Sequence, residues 1–160
     1  MYSLNTPVPT AVSRLARGLA AECREATPRD RHTLVVKRLG EGDAGTLARE
    51  VRARLVGTTP FEARVTGVDV FTDPPTGRAP VAYLAVESPG LEAIHRRLCE
   101  RFDPVEGIEG DGYVPHVTIA RGGDADRLAG RDLDLAWTVD GLLVWAADYR
   151  EAAERIALPV

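Results

Sequence analysis

The stretch VPHVTIARG, residues 114–122, alternates apolar and polar side chains with the period of a strand. Val117 and Ile119 fall on one face, His116 and Thr118 on the other. A chain with three histidines has thus set one inside a β-branched run, directly after a proline. Side chains two apart on a strand lie about 6.5–7 Å from each other along the chain. His116 and Thr118 therefore project together toward a cleft while their neighbours enter a core. A hydroxyl beside an imidazole on a rigid strand suits a phosphate: the hydroxyl donates to a non-bridging oxygen while the imidazole moves a proton. Arg121 ends the run and could grip an anion with two N–H groups. Strict alternation puts it on the opposite face, so the strand must finish or bend before it.

A second histidine, His32 in RHTLVV, sits early in another predicted strand and again beside a threonine. Imidazole titrates near pH ~6.5, so two of them can share one phosphodiester as proton donor and acceptor. Each such role contributes roughly 10²–10⁴-fold to a rate. The pair requires no metal, and no carboxylate cluster offers to hold one.

Outward from these two strands, the apolar spacing predicts a strand over residues 2–8, a helix over 10–25, and a strand over 31–40. A helix over 43–57 follows, then strands over 61–73 and 78–88, a helix over 90–102, and the opening strand over 113–121. A short helix near 124–129 precedes strands near 133–139, 141–147 and 154–159. A histidine-bearing strand followed by a helix thus occurs twice, at 31–56 and at 113–129.

Composition narrows the classes. With 160 residues, 44% hydrophobic and 28% charged, the chain suits one compact globular unit. No apolar run reaches the ~18 residues of a membrane span, and the start has neither the basic nor the apolar region of a secretory leader. A cytoplasmic monomer is expected. Cys23 and Cys99 form no metal-type cluster and are expected as free thiols in a reducing compartment. The net charge of −4 argues against a general nucleic-acid binder, so any such role rests on a local cationic pocket. Lys37 is the single lysine.

With its two histidine–threonine strands in this β/α order, the sequence resembles the 2H phosphoesterase superfamily, in particular its 2′-5′ RNA ligase-like and RNA 2′,3′-cyclic phosphodiesterase branch. Pro115, His116, Thr118 and Arg121 match the second motif, and AYLAVES resembles the strand before the third major helix. The first motif departs: His32 is followed by Thr33 and Leu34, where a hydroxyl residue is expected at Leu34. Either a bulge returns Thr33 to the cleft or half of the phosphate clamp is missing.

The resemblance implies an α+β fold over residues 1–160, bilobal, with two antiparallel sheets flanking a cleft and helices outside. It further implies metal- and cofactor-independent hydrolysis of a 2′,3′-cyclic phosphate, on an RNA end or a small cyclic nucleotide, to a 2′-phosphomonoester. Reversible 2′-5′ joining belongs to the same chemistry. In that scheme His32 protonates the departing 3′ oxygen and His116 activates water. Thr118, Arg121, Thr33 and Tyr113 are the candidate substrate-binding residues. The alternative is a catalytically silent binder of RNA ends or nucleotides, and cyclic phosphates derived from ADP-ribose are a further substrate option.

Other polar residues receive plainer readings. His95, among helix arginines, is expected at the surface. Lys37 and Arg38 either line the cleft mouth or form a solvated strand end, the latter preferred. Tyr83 is expected in sheet packing, and Trp137 and Trp145 as core anchors. The acidic loop bearing Glu106, Glu109 and Asp111 is expected in solvent, or as a gate.

Overall fold

The computed structural model describes residues 1–160. Along the chain run β1 (Tyr2–Thr6), α1 (Thr10–Ala20), β2 (Thr27–Pro28), β3 (Leu34–Gly40), α2 (Ala44–Arg54), β4 (Phe61–Phe71) and β5 (Val81–Glu87). Then come α3 (Pro89–Cys99), β6 (His116–Arg121), β7 (Asp132–Val139), β8 (Gly141–Ala146) and β9 (Glu151–Ala157). The strands form two antiparallel sheets, one in the order β3-β1-β8-β9 and the other β2-β6-β5-β4-β7. This is the expected α+β class.

Capping chemistry starts two of the helices. Asp43 accepts the Thr46 backbone N–H ahead of α2, and the Ser88 hydroxyl accepts that of Leu91 ahead of α3, with Pro89 at the first helical position. The apolar stripe of α3, Leu91, Ile94 and Leu98, is buried. This helix packs against β3 of one sheet and β4 of the other, so a single cluster of 32 buried residues draws on both sheets. Truncating Leu98 to alanine within it costs about 2–5 kcal/mol. No helix is long and apolar enough to cross a membrane.

The structure corrects several expectations. Helix α1 stops at Ala20, because the residues after it wrap around Asp124. That carboxylate accepts the backbone N–H groups of Arg24, Glu25 and Ala26, which hold it far below the ordinary aspartate range. The segment near 124–129 is a 3-10 turn over Ala125–Leu128, so the strand–helix repeat is complete only at β3–α2. Strand β3 begins at Leu34 and β6 at His116, three residues later than expected in each case.

His95 is not at the surface. It is buried, with Nδ1 against the Val36 carbonyl at 2.7 Å and Nε2 accepting the Gly110 N–H at 2.9 Å. Lys37 is neither a solvated strand end nor part of the cleft mouth: it is fully buried, its Nζ 2.7 Å from Glu109 Oε1. Glu109 is likewise buried rather than solvated, and its carboxylate also accepts the N–H groups of Arg38 and Val105. Burial pushes this carboxyl upward, yet Lys37 and the two amides outweigh it and hold the group below its usual range. Loop 103–113 is thereby fastened to β3.

Candidate active site

Strand β6 carries the decisive local irregularity. Against β5, His116 pairs with Ala85 and Thr118 with Tyr83; the next pair is Ala120 with Ala82, then Arg121 with Val81. Ile119 is the extra residue of a β-bulge. Ile119 and Ala120 both turn into the core, each 0% exposed, and the alternation restarts one residue late. Arg121 thereby joins the face of His116 and Thr118, the bend that strict alternation lacked.

A cavity of about 390 Å³ opens on this face, lined among others by His116, Arg121, Tyr113, Val35, Arg38 and Phe71. His116 is half-buried, edge-on to Phe71 and Tyr83 with ring centroids 5.2 and 5.3 Å away. Its Nδ1 lies 2.7 Å from the Val114 carbonyl, which can only accept. That contact assigns the proton to Nδ1 and leaves the lone pair on Nε2. Burial lowers the imidazole pKa most; the Val114 carbonyl opposes this, and Arg38 and Arg121 add to the lowering. The ring is thus a neutral acceptor near neutral pH.

Arg121 is oriented by the Thr76 carbonyl, which accepts from its Nη1 at 3.0 Å. Gly77 makes room for it: a Cβ there would lie 2.8 Å from that nitrogen, at a backbone φ of +80° that favours glycine. Tyr113 is committed on two sides. Its hydroxyl donates to the Val35 carbonyl at 2.9 Å and its ring stacks on His95 at 3.9 Å, so one aromatic face is already covered.

A second cavity, about 620 Å³, adjoins through Arg121. Thr33 lines it, with Arg29, Arg31, Arg78, Arg150 and Trp145. Trp145 is therefore a cavity wall rather than a core anchor, with the Arg31 guanidinium 4.8 Å above its ring. The structure thus brings His116, Tyr113 and Arg121 to one cavity and Thr33 and Arg121 to its neighbour. Thr118 shares the face of His116 but borders neither cavity, and neither does His32.

His32 lies in the segment ahead of β3. Thr33 and Val35 each line a cavity, whereas Leu34 and Val36 are fully buried. A register shift against β1 leaves Val36 unpaired, so Val35 and Arg38 both face the cavity while Val36 and Lys37 are both buried; His32 precedes the strand and is half-buried. The Nδ1 atom of His32 is buried without a hydrogen-bond partner. Burial, then Arg17 and Arg29, lower its pKa. No group of three or more His, Cys, Asp or Glu side chains is arranged to hold a metal ion. Sequence reading missed Arg29, Arg31, Arg78 and Arg150; the one available signal was the basic pair of RDR at 29–31, just ahead of His32.

The family model described as the 2'-5' RNA ligase superfamily matches residues 32–150. The chain belongs to this superfamily. Among solved structures, the 2'-5' RNA ligase superfamily chain is similar to TT0787 of Thermus thermophilus, with 20% identity and a TM-score of 0.67 over 98% of this chain and 97% of that one. It is also similar to LigT of E. coli complexed with 3'-AMP, at 17% identity and a TM-score of 0.67 over 99% and 97% of the two chains. The E. coli LigT complex with NADP+ gives 16%, 0.62, 98% and 96% respectively. No curated protein matches by sequence. At these identities the likeness concerns the fold, which is that of the 2H phosphoesterases TT0787 and LigT.

Proposed function

We propose that this superfamily member binds a 2′,3′-cyclic phosphate at His116 and opens it to a 2′-phosphomonoester. The observation that carries the reading is the neutral imidazole of His116, its Nδ1 spent on Val114 and its Nε2 free, in a cavity that also holds Arg38 and Arg121. In this scheme Nε2 removes a proton from water, the oxygen attacks phosphorus, and the P–O3′ bond breaks. Arg121 and Thr118 neutralise and orient the non-bridging oxygens. His32 supplies the proton to the leaving 3′ oxygen, a role that requires the loop ahead of β3 to turn its imidazole into the cavity. The E. coli LigT complexes with 3'-AMP and NADP+ are consistent with a nucleotide-sized anionic ligand in this fold.

A second reading, a nucleotide or RNA-end binder without turnover, is favoured by one observation. Thr33 and Val35, not His32, hold the cavity-facing positions on the β3 side. The deciding experiment incubates the protein with a short RNA ending in a 2′,3′-cyclic phosphate and identifies the product by chromatography. A 2′-phosphomonoester, formed in EDTA and lost in His116→Ala, is expected; saturable binding with no product establishes the second reading instead.

A further inference from the structure

Five arginines, Arg29, Arg31, Arg78, Arg121 and Arg150, line the larger cavity against a single carboxylate, Asp30. None of the five is ion-paired, whereas Arg38, Arg54, Arg64, Arg101, Arg127 and Arg131 each meet a carboxylate. In a protein of net charge −4 this gathers an excess of positive charge into one concavity. Guanidinium groups so placed repel one another until an anion neutralises them.

Three of the forks are oriented by backbone carbonyls. Arg29 donates to Arg31 O at 3.3 Å, Arg31 to Arg150 O at 2.8 Å, and Arg121 to Thr76 O at 3.0 Å. Each contact uses one of five N–H donors and leaves the others available. Arg31 also stacks on Trp145 at 4.8 Å, which gives the wall a flat, polarisable section. The volume of about 620 Å³ is on the scale of small-ligand sites, roughly 300–1,000 Å³.

We propose that this cavity is a second phosphate subsite. It takes a phosphate of the same ligand whose first phosphate lies at His116, with the Arg31–Trp145 stack beside the intervening nucleoside. The preferred ligand class is therefore a nucleotide carrying at least two phosphates. The inference rests on the proposed function only in placing the first phosphate at His116. A short strand and a small bisphosphate share this chemistry.

Binding of unreactive product-type ligands tests it. Uridine 2′-phosphate carries one phosphate, uridine 2′,5′-bisphosphate two on a small molecule, and UpU ending in a 2′-phosphate two on a strand. Both two-phosphate ligands are expected to bind at least tenfold more tightly than the first. Arg31→Gln and Arg150→Asn should close that gap while leaving the affinity for uridine 2′-phosphate unchanged; asparagine suits the positive φ of 55° at Arg150. Arg29→Gln replaces either variant if its melting curve shows loss of fold.

The slope of log affinity against log salt should fall by about one per arginine removed. Equal affinity for one- and two-phosphate ligands, or a gap that survives the variants, overturns the subsite. Preference for UpU 2′-phosphate over the bisphosphate identifies a strand as the source, and parity identifies the small molecule. Because binding is read without turnover, absent ring opening with an intact gap removes only the enzymatic reading.

Discussion

The two histidine-bearing segments resemble each other in sequence and differ in what their backbones do. In β6 a bulge at Ile119 lets His116, Thr118 and Arg121 occupy one face, although their spacing breaks strict alternation. Ahead of β3, His32 precedes the first paired residue, Leu34, and the cavity positions go to Thr33 and Val35. One segment brings an imidazole and a guanidinium to a cavity wall; the other delivers a hydroxyl and a methyl-bearing wall. Register, rather than the presence of a histidine, decides what a strand offers a ligand.

The largest effect expected from breaking this comparison is in His116→Ala, which should lower turnover of a 2′,3′-cyclic RNA end by about a hundredfold or more, the scale of one lost proton transfer. His32→Ala is expected to match it if the imidazole donates the second proton. Unchanged kcat there, against a collapse in His116→Ala, would show that the first segment has no catalytic histidine.

Next comes Lys37→Met, which strands Glu109 in the core and should destabilise the protein by about 3–5 kcal/mol, read from a denaturant midpoint. Loop 103–113 borders the His116 cavity, so the same variant should loosen the hydrogen-exchange protection of Tyr113 and Gly110. Gly77→Ala is smaller. It crowds Arg121 from 2.8 Å and strains a positive φ, so KM should rise several-fold while kcat changes less.

The last test is by pH. Burial lowers all three histidines below their ordinary value, so the unfolded chain binds more protons than the native one through that window. Stability should accordingly be full above pH ~6.5 and fall as the pH drops through the folded-state values. The slope should shrink in His95→Gln. With His116 and His32 both lowered, the bell-shaped profile of kcat/KM expected of a two-histidine scheme should centre on the acid side of pH ~6.5.

Much of the architecture was legible because it follows from periodicity. The apolar stripe of α3 and the alternation of β6 gave both element type and facing. What escaped was set by tertiary partners. Nothing local to AIHRRL says that His95 will find the Val36 carbonyl and the Gly110 amide, because those partners lie on β3 and in a distant loop. Lys37 looked solvated for the same reason: its carboxylate partner comes from an acidic loop whose other members stay exposed. At the site, Arg121 was nameable from its motif but could be placed only with the β5 register in hand. Arg78 and Arg150 come from loops far from either motif, and only folding brings them to one wall.

Arg121 stands in the walls of both cavities. Occupants on either side therefore draw on one cation, and their affinities are linked: whatever factor the first imposes on the second, the second returns to the first. An anionic inhibitor lodged beside Trp145 should then give mixed kinetics against a one-phosphate ligand at His116, and competitive kinetics against a two-phosphate ligand that fills both cavities.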